Sequence, residues 1–303
     1  MRFVRMARKA YIRARGYLLA ERADNLVVDK MSKKRVVLFV SIDCSGAEYM
    51  LAYQEAHEDT ALPYEIVAIF TDRRDSSAFE VARRYNIPIK LHDIKGFCAE
   101  SGTELSDLSS RPEYFSNVMN ALKPYSADML CLIDYDLIIT EPLLGSHSNR
   151  ILSMHPADLS IRDKEGRAIY VGNNSVDSAI LSGATELRST VHFVTKELDQ
   201  GSPILISGPL RVELPSGISV NELKLQKNSQ LLKSIVAAHK LRLHDISLKT
   251  YRVALELVAS GSILMDKNGT ACCSDDALRI SELHGFRTFG LRISNTAILS
   301  HKA

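Results

Sequence analysis

A chain of 303 residues that is 46% hydrophobic and 24% charged is long enough to bury a full core in one large domain with appended ends. Its formal net charge of +2 gives no electrostatic footprint for nucleic acid or an anionic membrane as the main partner, and nothing approaches the run of about 18 apolar residues that a membrane span requires. The five cysteines, Cys44, Cys98, Cys131, Cys272 and Cys273, show neither CxxC nor Cys/His ligand spacing, so reduced thiols in a cytoplasmic protein with no disulfide frame and no metal are expected.

Residues 1–34 are the one biased segment. MRFVRMARKAYIRARGYLLAER carries Arg2, Arg5, Arg8, Lys9, Arg13 and Arg15 before its first acid, Glu21. An Arg-rich targeting helix is one reading, but Phe3, Val4, Ala7, Tyr11 and Leu18 recur at helical spacing and Glu21, Asp24 and Asp29 are unusual for a transit peptide. The pattern favours a basic amphipathic extension packed on the body or a partner.

From residue 35 the chain alternates strands and helices. RVVLFVSI (35–42) is a continuous β-branched and apolar run that suits a buried parallel strand. A helical pattern follows in AEYMLAYQEAHED, then a strand in YEIVAIFTD (64–72), a helix in SAFEVARRYN, a strand in IPIKLHD (87–93) and a helix in RPEYFSNVMNALKPY (111–125). DMLCLID (128–134) and RILSMHP (150–156) are the next two strands. This rhythm predicts an α/β fold, an open, mostly parallel twisted sheet with helices on both faces. Ligands in such sheets sit at the carboxyl ends of the strands, which here carry DCSGA (43–47), DYDLII (134–139) and SMHPADL (153–159).

In DCSGA, a strand leading through Ser-Gly into a helix offers backbone N–H groups to a phosphate. The segment is neither GxGxxG nor a P-loop, Asp43 opposes an anion, and a plain helix N-cap by Ser45 is an equal reading. In SMHP, Ser153 and His155 are two apart on a strand and share a face. STVHFV (189–194) is a further strand bearing His192, and TKELDQG (195–201) is a turn that delivers Asp199. A serine hydrolase is disfavoured, because no GxSxG elbow exists and a serine two residues before the histidine on one strand is badly placed for deprotonation by it.

These residues carry a resemblance. The stretch from 35 to 212 resembles the folate-dependent formyltransferases, most closely the branch that acts on glycinamide ribonucleotide in purine biosynthesis. SMHPADLS is similar to the family's Asn-x-His-Pro strand end, YVGNNSVDSAILSG (170–183) to its Gly-x-Asn…Ala-Leu…Gly segment, and STVHFVTKELDQGSPIL (189–205) to its Thr-Val-His-Phe-Val…Leu-Asp-x-Gly block. LKTYRVALELVASG (248–261) resembles the helix closing the family's domain. The resemblance implies a Rossmann-type catalytic domain over 35–262, with a C-terminal addition at 263–303 that reads as a hairpin.

It also implies the chemistry. His155 and Asp199 match the catalytic pair, Ser153 stands where the family has Asn, and His192 would support Asp199 from behind. Formyl transfer from 10-formyltetrahydrofolate to an amine passes through a tetrahedral oxyanion, so a donor must face the formyl oxygen and the amine must lose a proton. Leu137, Ile138, Ile139 and Asp136 would hold the folate. Cys44, Ser45, Gly46, Gly172 and Asn174 would contact the acceptor, for which glycinamide ribonucleotide is the default. The family's Gly-x-Gly-Ser-Asn phosphate loop is replaced by Ile42 to Gly46, and the segment holding DKEGR, a hairpin turn, is longer than the family's. Hydrolysis of the same folate, formylation of a sugar-nucleotide amine and folate binding without turnover are the alternatives. Methionyl-tRNA is disfavoured, for want of a basic stripe and a large C-terminal domain. A monomer or homodimer is expected. Residues 221–250 place apolar positions at helical spacing opposite lysines, the pattern of a solvated helix or an interface.

Overall fold

The computed structural model describes residues 32–225, 229–266 and 268–293, so the basic segment expected to form an extension, and the end of the C-terminal addition, lie outside the described residues. In chain order the elements are β1 (Lys34–Val40), α1 (Ser45–Ala56), β2 (Tyr64–Thr71), α2 (Ala78–Tyr85), β3 (Ile89–Leu91), α3 (Ile94–Ser101), α4 (Arg111–Leu122), β4 (Met129–Leu132), α5 (Leu143–Ser146) and β5 (Ile151–His155). There follow α6 (Ser175–Ser182), β6 (Glu186–Leu187), β7 (Thr190–Phe193), β8 (Pro203–Ile206), β9 (Leu210–Arg211), α7 (Val220–Leu225) and α8 (Gln230–Ala259). The chain then adds β10 (Ile263–Met265), β11 (Ala271–Cys273), α9 (Asp275–Leu283), β12 (Arg287–Thr288) and β13 (Leu291–Arg292).

One eight-stranded sheet in the order β12-β8-β7-β5-β4-β1-β2-β3 organises these elements. Strands β3, β2, β1, β4 and β5 are parallel, whereas β7, β8 and β12 join by antiparallel pairing. The β-branched run predicted to be buried on both faces is so: Val36 to Val40 are all 0% exposed. Alternate residues serve opposite layers, as a period of two demands. Val36, Leu38 and Val40 pack with α1, α2 and the second half of α8, whereas Val37 and Phe39 pack with Ile94 and Phe97 of α3 and Tyr114, Phe115 and Val118 of α4.

The helix read from its lysine face as solvated is the 30-residue α8, and its other face is core. Leu232, Ile235, Val236 and Leu243 close a third cluster with Val176 and Ile180 of α6, and Leu248, Tyr251 and Leu255 cover the sheet. Each such leucine contributes about 1.5–3 kcal/mol by leaving water. Ser229 caps α8, its side chain accepting from Leu232 N–H at 3.2 Å. The C-terminal addition holds the expected hairpin, β10 with β11, and also α9 and β12, which pairs with β8 and extends the main sheet. The DKEGR turn closes as read: Arg162 bridges Ala168, and Gly166 takes a φ of +78°.

Candidate active site

The chain runs from β1 outward through β2 to β3 and returns to place β4 on the other side of β1. That reversal is a topological switch point, and the crevice it opens is bounded by the loops after β1 and β4. Next to it, β5 and β7 present a common face. Ser153 lies directly opposite His192 and His155 opposite Thr190 in the antiparallel register, so the two histidines and the serine share one side of the sheet.

Asp199 reaches this face from the β7–β8 connection. Its Oδ2 lies 3.3 Å from His155 Nδ1 and its Oδ1 lies 3.8 Å from His192 Nε2. Gly172 N–H donates to Oδ2 at 2.8 Å. Asp199 takes a φ of +54°, a left-handed conformation that Asp tolerates better than most side chains. Gly201, two residues on, is required: a Cβ there would overlap the carbonyl of Phe193, so only glycine lets the turn pass close enough to β7 to deliver the carboxylate.

The outward nitrogens of both imidazoles face carbonyls. His155 Nε2 donates to Tyr170 O at 2.8 Å and His192 Nδ1 donates to Phe193 O at 3.0 Å. A carbonyl only accepts, so in each neutral ring the proton sits on that nitrogen and the lone pair faces Asp199. Burial pushes the proton affinity of both histidines below the usual imidazole range; the carboxylate of Asp199 opposes this in each, and His155 adds repulsion at His192. Side-chain exposures of 7%, 4% and 12% for His155, His192 and Asp199 leave the cluster largely shielded from solvent.

The loop after β1 differs from its expectation. Cys44, taken as a substrate contact, turns its side chain into the core at 1% exposure, and its N–H donates to Ser77 Oγ at 3.0 Å. Burial first, then the charges of Asp134, Asp43 and Glu48, push its thiol up to about 12. Ser45 does not cap α1. Its N–H and hydroxyl both donate to Asp43, each at 3.0 Å, and Gly46 N–H donates to Asp134 Oδ2 at 3.2 Å. The helix N-terminus is thus already occupied by the chain's own carboxylates. Gly46 has no room for a side chain, since a Cβ would collide with Ile133 and Asp134. Asp134, at a φ of +55°, also lies 3.9 Å from His244 Nδ1, and burial raises its proton affinity.

In the loop after β4 the three consecutive apolar residues separate. Ile139 enters the core, Leu137 packs half-buried against the α4 side, and Ile138 stays 39% exposed. Asp136 is exposed, and its N–H is fixed by Ser41 Oγ at 3.0 Å. An exposed isoleucine beside tethered backbone suits a flat heteroaromatic group. Asn174 stands at the head of α6 without a side-chain cap bond, two residues beyond the Gly172 that joins the Asp199 cluster. Sequence reasoning missed Tyr170, whose part is played by its carbonyl, and His244, which meets Asp134 only through the docking of α8. Asp134 was within reach, at the end of a predicted strand in the acidic DYD. Among the described residues no cluster of three or more His, Cys, Asp or Glu is arranged to hold a metal, and no helix is long and apolar enough to cross a membrane.

Comparison with known proteins accords with this geometry. The sequence is 25% identical over 240 residues to the trifunctional purine biosynthetic protein adenosine-3 of Homo sapiens, covering 79% of this chain and 20% of that protein. It is 29% identical over 181 residues to the chloroplastic phosphoribosylglycinamide formyltransferase of Arabidopsis thaliana, covering 59% of this chain and 56% of that one. The chain therefore spans about a fifth of the trifunctional relative and just over half of the plant one. The fold is shared with phosphoribosylglycinamide formyltransferase from Anaplasma phagocytophilum (TM-score 0.56, 18% identity, 80% of this chain and 95% of that one). It is shared equally with a formyltetrahydrofolate deformylase from Pseudomonas syringae (TM-score 0.57, 19% identity, 79% and 65%). The family described as formyl transferase matches residues 34–213, more than half of the sequence, and the chain belongs to the formyl transferase family.

Proposed function

We propose that the protein transfers a formyl group from 10-formyltetrahydrofolate to the primary amine of a small molecule, with glycinamide ribonucleotide, the acceptor of the relatives' named activity, as the first amine to test. The observation that carries this is the partly buried carboxylate of Asp199 set between the lone-pair sides of His155 and His192. The folate supplies the formyl group, and the loop 136–139 would hold its ring. Attack by an amine leaves a proton to be removed and an oxygen gaining charge. Asp199 and His155 Nδ1 together accept the proton. The His155 ring and the Ser153 hydroxyl, on the same face of β5, would donate to the oxygen, once the Tyr170 carbonyl gives up His155 Nε2. A cytoplasmic location belongs to the proposal and is supported by five buried thiols, none of them in a disulfide.

The loop after β1 favours a second reading. With Ser45 and Gly46 N–H groups committed to Asp43 and Asp134, an acceptor phosphate would have to displace a carboxylate, whereas water as acceptor would not. The deciding experiment follows loss of the formyl group spectrophotometrically, with and without glycinamide ribonucleotide, in wild type and His155→Ala. Turnover that needs the amine and vanishes in the variant supports transfer. Equal turnover without an amine supports hydrolysis, and no turnover in either condition rejects hydrolysis and glycinamide ribonucleotide as the acceptor.

A further inference from the structure

We propose that Asp72 is a positioning residue for the folate-binding loop, acting through the Ser41 hydroxyl on the backbone of Asp136. This rests on the formyl-transfer reading, which places the folate against residues 136–139.

Val40 and Thr71 are the last paired residues of β1 and β2, so Ser41 and Asp72 leave adjacent parallel strands side by side. Both are 0% exposed. Ser41 ties down the loop after β4 at two points: its N–H donates to Asp134 O at 3.0 Å, and its Oγ accepts from Asp136 N–H at 3.0 Å. With its oxygen engaged by Asp136, the hydroxyl has one proton to direct. Neither carboxylate oxygen of Asp72 has a hydrogen-bond partner among the described residues. A buried carboxylate left in that state is costly and is retained where it serves a site. An ionised Asp72 that draws the Ser41 proton keeps the lone pairs of Oγ turned toward Asp136, and so holds the loop backbone in place.

The groups around this acid are Arg73, Arg111, Tyr114, Tyr135 and Asp136. Its carboxyl is pushed up to about 6 by burial, against the Ser41 hydroxyl and the charge of Arg73, with Asp136 adding to the rise. From α4, Tyr114 faces it but spends its hydroxyl on His92 O at 2.6 Å. Tyr135, wedged on Phe39 and Phe70, feels both Asp72 and Arg111, and its hydroxyl is buried without a partner. Arg111 is 3% exposed and donates from Nη2 to Leu105 O at 2.5 Å, while its Nε and Nη1 are buried without a partner. Tyr114 and Tyr135 are close enough to feel Asp72 and yet leave its oxygens unbonded.

The test is steady-state kinetics with varied 10-formyltetrahydrofolate, together with tetrahydrofolate binding measured between about pH 5 and 8. Asp72→Ala and Ser41→Ala should each raise KM for the folate about tenfold, about 1.4 kcal/mol, with kcat and the acceptor KM within about twofold. The double variant should be no worse than either single one, because both remove one relay. Asp72→Asn preserves an acceptor for the Ser41 proton and serves if the alanine variant fails to fold. Wild-type affinity should fall as pH drops through about 6, where Asp72 takes up its proton, and the Asn variant should be flat across that range. Additive losses, equal shifts in kcat and both KM values, or an Asn variant that keeps the break near 6 would overturn the proposal. A wild type that neither turns over 10-formyltetrahydrofolate nor binds tetrahydrofolate at any pH would instead remove the formyl-transfer reading on which it stands.

Discussion

Replacing Asp199 with Asn isolates the charge of its carboxylate from everything else it does. Asn has the same shape, tolerates the φ of +54° and retains an oxygen to accept Gly172 N–H, so the β7–β8 turn should persist. What disappears is a negative charge 3.3 Å from one imidazole nitrogen and 3.8 Å from another. At an effective dielectric near 20, attraction between unit charges at such distances is about 4–5 kcal/mol, an upper bound on what protonated His155 gains from it. Loss of a positioned proton acceptor typically costs about 10²- to 10⁴-fold in rate. We therefore expect Asp199→Asn to lower kcat about 10²- to 10⁴-fold, with KM for the folate within about threefold, in saturating formyl-transfer assays. The acid limb of the pH profile should also move to lower pH, since Asp199 is the group that raises the proton affinity of both histidines. A folded variant with less than about a tenfold loss and an unmoved acid limb would refute the assignment of Asp199 as the proton acceptor.

Four further outcomes are expected. Ser153→Asn should raise kcat about tenfold, as a longer donor reaches the oxygen that gains charge; a fall would show that the hydroxyl suits this chemistry better. Gly201→Ala should destabilise the fold by about 3 kcal/mol, seen as a lowered Tm with activity lost in parallel, because the added carbon meets the Phe193 carbonyl. Native protein should react negligibly with a thiol reagent near pH 8 and expose five thiols once denatured, since all five are buried and burial pushes Cys44 up to about 12. Acidification below about 6.5, the ordinary imidazole value, should lower stability: buried His155 and His192 bind protons less readily than the unfolded chain does, so protons favour unfolding. Chemical denaturation at several pH values reads this, and His192→Asn, which lacks the titrating ring, should flatten the slope.

Strands β1, β2, β4, β5 and β7 were legible because each is a short β-branched or apolar run, and His155, His192 and Asp199 because they lie at strand ends or in a turn whose sequence is itself distinctive. Helix α3 was not, since KGFCAES carries little amphipathic pattern and owes its place to Phe97 and Cys98 meeting α4. The apolar face of α8 was legible opposite its lysines, but what that face touches, α6 and the sheet, was not, because charge on one face reports nothing about what the other face meets. The loop after β1 defeated local reading for a different reason. Ser45 has the chemistry of a cap, but its N–H and hydroxyl go to Asp43, and the partners of Gly46 and Cys44 beside it, Asp134 and Ser77, are distant in sequence and arrive only with the sheet.

Helix α8 spans two hydrophobic clusters, with its first half on α6 and its second half on β5, β7 and β8, where Tyr251 donates to Leu152 O at 2.9 Å. During synthesis the strands it covers are complete by Ile206, whereas the part of α8 that shields them ends only at Ala259. At about 5–20 residues per second, the faces of Leu152, Val191 and Phe193 stay open to other chains for several seconds before their cover is made. The interval in which this protein is most open to aggregation is thus set by the order of its elements along the chain, and a slower ribosome would lengthen it.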